Sequence, residues 1–262
     1  MKAFEIMDDL FSLARPGDFS QTCDTCKAGS PQAEVTKVAV SMFATPEVIR
    51  QASRWGAQML IVHEPACYNH MDFAHNEALE REKRRFLAES GLTVYRFHDH
   101  CHAACPDIIS AGELEALGLD CEAVPDMDTP MRLRLNTPMT PRELARLVEE
   151  RLGIAHVRIC GAADTSCVRV SCMFGTPGGI LEEMLRPDCQ IVLTGEICEW
   201  AEAEWVRDMA QMGHTKALLV LGHIGSERDG MRHTARILQN RHPELAVQYL
   251  ECGEVFTYTD LR

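Results

Sequence analysis

The sequence predicts an α/β protein built from two intertwined βαβ-type halves related by internal duplication. Two observations carry this expectation. Short β-branched runs alternate with helical patterns, as in "KVAVSMF", "TPEVIRQASRWG", "QMLIV" and again in "CVRVSCMFG", "TPGGILEEMLR", "QIVLTG". The two stretches also resemble each other. "MFATP" (42 to 46) and "MFGTP" (173 to 177) each follow a strand and place Thr and Pro where the N-cap and first position of a helix belong.

Taken in order, "MKAFEIMDDLFSLARPGD" spaces apolar and acidic residues as an amphipathic helix does, without the continuous apolar core of a signal peptide. Strand, helix and strand follow from Lys37 to Val62, and "LTVYRFHDHCH" gives a further strand ending in histidines. Gly112 and Gly118 punctuate a helix that closes the first half, and a boundary near residue 127 gives halves 1–127 and 128–262. The segment from Val124 to Ala163 reads as a βαβ unit opening the second half, with "TPRELARLVEERLGI" capped by Thr140 and Pro141. The second strand, helix and strand series then leads through "EICEWAEAEW", a helix with a solvated acidic face, to "ALLVLGHIGSE".

Composition excludes several classes. With 262 residues, 46% hydrophobic and 25% charged, the chain is globular. The net charge of −13 and the lack of a Lys/Arg stripe argue against nucleic acid. No apolar stretch approaches the ~18 residues that cross a bilayer, so a soluble, cytoplasmic protein is expected, with no membrane partner. Its 12 cysteines sit mostly in apolar runs, which fits buried thiols in a reducing compartment. Cys23 and Cys26 have the spacing that zinc or redox chemistry uses, yet no second pair with matching spacing exists, and two small residues in a turn is the simpler reading.

The chemistry gathers at strand ends. His63 and Glu64, His98 to His102, Glu196, and His223 with Glu227 each follow an apolar run, and open α/β sheets place ligands outside the carboxyl ends of their strands. Aligning the halves sets Glu64 against Glu196, His98 against His223 and His102 against Glu227. His-x-x-x-(His/Glu) brings both side chains to one face once a helical turn has begun. Imidazole with carboxylate suits Zn, Fe, Mn, Ni or Co, and two such ions a few ångströms apart would support hydrolysis. His98, Asp99 and His100 are then left to orient ligands or move protons, which makes His98 and Asp99 the catalytic candidates. His70, His75, His156, His233 and His242 are expected at the surface, His214 in a turn, and Asp107 as a cap. Glu199 lies near enough to Glu196 to reach the same crevice.

These motifs resemble the NIF3-like (DUF34) family of dinuclear metal proteins, some of whose members carry the name type 2 GTP cyclohydrolase 1 homologue. The likeness runs through "DTCKAG", "AQMLIVHEPACYNHMD", "RFHDHCHAACPDIISAGELEALGL", "IVLTGE" and "GHIGSERDGM". The family's His-His-Pro stands here as His63-Glu64-Pro65, its His-Thr-x-x-Asp as "HDHCH" with His102 in the Asp position, and its Gly-His-x-x-Ser-Glu as Gly222 to Glu227. The resemblance implies a metal set of His63, Glu64, His102, His223 and Glu227, with two carboxylates as in the family, holding two divalent transition-metal ions. It also implies a homo-oligomer, a hexameric ring with metal sites facing an internal cavity. Together these suggest a metal-dependent hydrolase of a small nucleotide-like or heterocyclic substrate. The other reading is a ring protein that stores, delivers or senses metal without turnover.

Overall fold

In the computed structural model, which describes residues 1–74, 77–123 and 130–259, the chain forms two compact units. One comprises Met1–Ile109 with Gly230–Arg262, the other Ser110–Asp229. The sequence boundary near residue 127 lies outside the described residues, as does His75. The chain thus returns to its first unit after completing the second.

In the first unit, β1 (Cys26–Ala28), β2 (Lys37–Ser41), β3 (Met59–Val62), β4 (Thr93–Arg96) and β11 (Ala246–Tyr249) form one sheet in the order β1-β4-β3-β2-β11. Neighbours from β4 to β11 run parallel, and β1 is antiparallel to β4. Every residue of β3 and β4 is buried, as a sheet covered on both faces requires. Successive side chains feed opposite cores. Val38, Val40, Met59 and Ile61 pack with Ile6 and Leu10 of α1 (Ala3–Phe11) and with Met231 and Leu238 of α9 (His223–Arg241). Ala39, Leu60, Val62 and Val94 pack with Val48, Ile49 and Ala52 of α2 (Pro46–Trp55) and Leu87 of α3 (Ala78–Glu89). Thr45 caps α2 by accepting from the Val48 amide at 3.1 Å, and Pro46 sits at the first position.

In the second unit, β5 (Cys121–Ala123), β6 (Met131–Met139), β7 (Arg158–Gly161), β8 (Cys167–Met173), β9 (Ile191–Thr194) and β10 (Ala217–Val220) pair in the order β5-β6-β8-β9-β10-β7. Strands β8, β9 and β10 are parallel, with β7 antiparallel to β10 and β6 antiparallel to β8. Helix α6 (Pro141–Leu152) covers one face through Leu144 and Val148; α7 (Ile180–Leu185) and α8 (Glu204–Gln211) cover the other through Ile180, Met184 and Val206. The order β7-β10-β9-β8 repeats β1-β4-β3-β2, down to the antiparallel edge strand, which is the internal duplication expressed as topology.

Two expectations change. The 124–163 segment is not a βαβ unit of adjacent strands, because β8, β9 and β10 lie between β6 and β7. Nor do Thr176 and Pro177 open α7, whose N-cap is Gly179 at φ +81°. Thr140 does open α6 with a full capping box: its Oγ1 accepts from the Glu143 amide and Glu143 accepts from the Thr140 amide at 2.8 Å. No described helix is long and apolar enough to cross a membrane.

Candidate metal centre

Parallel strands end side by side, and the first unit uses this to gather imidazoles. Past β3 the His63 and Glu64 amides both donate to the Met42 carbonyl, at 3.2 and 2.9 Å, which turns the chain sharply at the strand end. Past β4, Phe97 donates from its amide to Val62, and His98 leads into α4 (Asp99–His102). His63 is fully buried and donates Nδ1–H to the Phe97 carbonyl at 2.9 Å. That bond assigns the tautomer and leaves the lone pair on Nε2. Burial, helped by the neighbouring His98 and His102, pushes the His63 pKa well below the usual histidine value, so the ring is neutral and able to ligate.

His102, at i+4 from His98, donates Nδ1–H to Asp107 Oδ2 at 2.8 Å; His98 faces Asp99 Oδ1 through Nδ1 at 2.9 Å. Ring centroids lie 4.6 Å apart for His63 and His98, 5.0 Å for His63 and His102, and 4.9 Å for His98 and His102. One ligating atom from each of the three lies within 4.8 Å of the others. Glu64 Oε1 is 4.0 Å from Nε2 of both His63 and His98. Imidazoles that each have one nitrogen held by a carbonyl or carboxylate oxygen, beside a further carboxylate, form a donor set that suits a divalent transition metal.

A segment remote in sequence supports this cluster. Asp24 accepts from the His98 amide at 2.6 Å, from the His100 amide at 2.8 Å and from His100 Nδ1 at 2.7 Å. Asp99 accepts from Thr22 Oγ1 at 2.8 Å and from the Cys23 amide at 3.0 Å. The bond from His98, aided by those from Thr22 and Cys23, holds the Asp99 carboxyl far below the carboxylate range. His100 is stacked between Phe11 at 4.2 Å and Phe19 at 3.8 Å, so it is a packing residue. Beneath the loop after β3, the buried Arg96 donates Nε–H to the His63 carbonyl at 3.0 Å and Nη1–H to the His70 carbonyl, while Asp72 pairs with Lys27 at 3.1 Å.

In the second unit, Glu196 follows β9, and His223 follows β10 through Gly222 at φ +84°. His223 places Nδ1 2.8 Å from Glu196 Oε1 and Nε2 3.0 Å from Glu227 Oε2. A carboxylate on each nitrogen is the arrangement of an imidazolium, or of a neutral ring that shares a cation with one carboxylate. Thr176, released from capping α7, brings its hydroxyl to 3.2 Å from Nδ1. Glycines make the fit possible. A Cβ on Gly175, itself at φ +68°, would lie 2.1 Å from Glu227 Oε1, and one on Gly195 would lie 2.4 Å from Ser226 Oγ. Ser226 accepts from the Gly175 amide and donates to the His223 carbonyl, locking "FGTP" to "GHIGSE".

Of the residues expected at the site, the structure brings His63, Glu64, His98, Asp99 and His102 together in one unit, and Glu196, His223 and Glu227 in the other. Glu199 is not among them; it is exposed and pairs with Arg158. Asp107, expected as a cap, holds His102. His70, expected at the surface, is exposed but stands edge-on to His98 at 5.1 Å. Asp24 and Thr22 were missed because no strand or repeat pattern surrounds them; the hint was an aspartate between the two cysteines of "CDTC".

A family model described as Duf34/NIF3 (NGG1p interacting factor 3) matches residues 1–253. A Clostridium perfringens protein named "GTP cyclohydrolase 1 type 2 homolog" is 22% identical over 209 residues, covering 76% of each chain. A Clostridium acetobutylicum protein of the same name is 22% identical over 229 residues, covering 85% of this chain and 82% of its own. The crystal structure of a Bacillus cereus protein related to NIF3 shares the fold at TM-score 0.79 and 14% identity, covering 99% of both chains.

Proposed function

Because the chain belongs to the Duf34/NIF3 family, we propose that it is a metal-dependent hydrolase of a small nucleotide-like or heterocyclic substrate. His63, Glu64, His102, His223 and Glu227 serve in this reading as ligands of two divalent transition-metal ions, drawn from Zn, Fe, Mn, Ni and Co. The observation that carries it is the trio of His63, His98 and His102, with ligating atoms within 4.8 Å of one another and the Nδ1 of each ring directed at a backbone or carboxylate oxygen.

Ions held by these residues would lower the pKa of a water and polarise a substrate oxygen. The chain supplies the rest. His98 takes a proton at Nε2, which faces Glu64, and Asp99 stabilises the resulting imidazolium through Nδ1–H. Asp24 fixes the loop by accepting from the His98 and His100 amides, so the ring keeps its aim. The name carried by the two clostridial relatives puts GTP first among the substrates to try. The assembly proposed is a homo-hexamer; exposed Trp200, Val255 and Phe256 are apolar side chains that a subunit contact would cover.

The test is elemental analysis of the purified protein, followed by assay of metal-loaded and chelated protein against purine nucleotides and phosphoesters. Close to two ions per chain, and turnover lost on chelation and in His98→Ala, support the reading. At most one ion would overturn the two-ion ligand set. Full metal with no turnover on any substrate would leave the metal-binding ring.

A further inference from the structure

The Cys23 and Cys26 pair does not act as a pair. Cys26 Sγ donates to the Ala28 carbonyl at 3.1 Å at the start of β1, whereas Cys23 is buried and reaches the other way, with Sγ 3.5 Å from Asp99 Oδ1. Asp99 in turn lies 2.9 Å from His98 Nδ1, and the His70 ring stands edge-on to His98. One ligating atom from each of Cys23, His70, His98 and Asp99 lies within 4.8 Å of the rest. We propose that these four residues form a second, thiolate-containing metal site for a borderline-soft divalent ion such as Zn²⁺ or Co²⁺, adjoining the first through His98.

The chemistry favours it on three grounds. One thiolate, two imidazoles and one carboxylate complete a tetrahedron, the geometry Zn²⁺ adopts with such donors. Donors bound at zinc's usual distances stand roughly 3.3–3.8 Å apart; Cys23 Sγ and Asp99 Oδ1 are already 3.5 Å apart, and all four ligating atoms lie within 4.8 Å of one another. The donors are also anchored from behind: the Cys23 amide donates to Asp99, the His98 amide to Asp24, and the buried Arg96 holds the His70 carbonyl. On binding, the Cys23 Sγ–H bond breaks, the sulfur–metal bond forms, and the proton leaves to solvent. The site shares His98 and Asp99 with the proton-transfer pair proposed above, so the ion and that role exclude each other. None of the five ligands proposed above contains sulfur.

The test is titration of chelator-stripped full-length protein with Co²⁺ under reducing conditions, read by near-ultraviolet absorption. A sulfur-to-cobalt charge-transfer band that saturates at one thiolate-bound ion per chain is expected. Cys23→Ser should abolish it and Cys26→Ser should leave it intact. His70→Ala, which alters an exposed side chain and should fold as wild type does, should weaken the thiolate-bound ion at least about tenfold, the loss that even an outer partner of a metal ligand produces. No band in the wild type, a band that survives Cys23→Ser, or one lost in Cys26→Ser would each overturn the proposal. Absorption from nitrogen and oxygen ligands alone would overturn this site while leaving the five-ligand reading standing.

Discussion

Removing the Asp107 carboxylate isolates the contribution of a single buried partner to metal affinity. Asp107 is 5% exposed at its side chain and accepts the Nδ1–H of His102 at 2.8 Å; His102 itself is 34% exposed. In Asp107→Ala the ring loses the group that fixes its tautomer and raises the basicity of Nε2. Losses of this kind cost about 10- to 100-fold in metal affinity, equivalent to roughly 1.4–2.8 kcal/mol. The effect on folding should be smaller, on the order of 1 kcal/mol, because water can reach the half-exposed His102 and replace part of a charge-assisted hydrogen bond. Chelator competition with Zn²⁺ or Mn²⁺ measures the first quantity and thermal unfolding of the metal-free protein the second. Asp107→Asn, which keeps an acceptor without the charge, should fall between the two. Affinity within twofold of wild type in Asp107→Ala, with folding intact, would show that His102 does not ligate through Nε2.

Three further expectations can be checked on the same preparations. His100→Ala should leave metal content unchanged yet lower stability by about 2 kcal/mol, because a buried ring stacked between Phe11 and Phe19 is lost; His102→Ala should do the reverse, and calorimetry with elemental analysis separates them. Gly175→Ala should cost about 1–3 kcal/mol from its φ of +68° and displace the Glu227 carboxylate, so unfolding and metal occupancy should fall together; an occupied, stable variant would show that the segment shifts freely. The Arg241 guanidinium, aided by His242, lowers the Asp9 carboxyl from 3.8 to about 2, so its stabilising share is present above pH 3.8 and is lost as the pH falls through about 2. Asp9→Asn should therefore be less stable than wild type near neutrality, with the gap closing as the pH falls through about 2 and gone only below both pKa values, and a gap that does not narrow between neutrality and pH 2 would contradict the assignment.

What could be read from sequence was whatever one strand or one helix decides alone. Thr45-Pro46 and Thr140-Pro141 announce α2 and α6 because an N-cap oxygen and a pre-set φ act within four residues. The same dipeptide at Thr176-Pro177 misleads. Gly178 and Gly179 follow it, the helix begins only at Ile180, and the threonine hydroxyl serves His223 instead. Sheet order was not legible, and the placement of β6 and β7 on opposite sides of β8, β9 and β10 had no local signal. Within the site, the residues that follow strands were legible, whereas their supports were not. The bonds from His98 and His100 to Asp24 span 74 and 76 positions of sequence, and no periodicity encodes a contact of that length.

The two strand-end loops show how duplication can keep a frame while dividing the chemistry. Both place a histidine at the end of the strand next to the antiparallel edge and a potential ligand four residues later, His98 with His102 and His223 with Glu227. In the first unit the carboxylates of Asp99 and Asp107 lie behind the rings, on Nδ1, and orient them. In the second unit carboxylates lie on both nitrogens of a single ring. The first loop is therefore rich in imidazole and the second in carboxylate, although both descend from one pattern. Imidazole-rich sets favour Zn, Co, Ni or Fe over Mg or Ca, which take oxygen. His102, where the family pattern has Asp, moves the first loop further towards nitrogen, and Glu64, where that pattern has a second His, restores a carboxylate. Reverting both at once, as Glu64→His with His102→Asp, should keep metal content near wild type, whereas each change alone should lower it. Equal loss in the single and double variants would mean that the two positions do not compensate for one another.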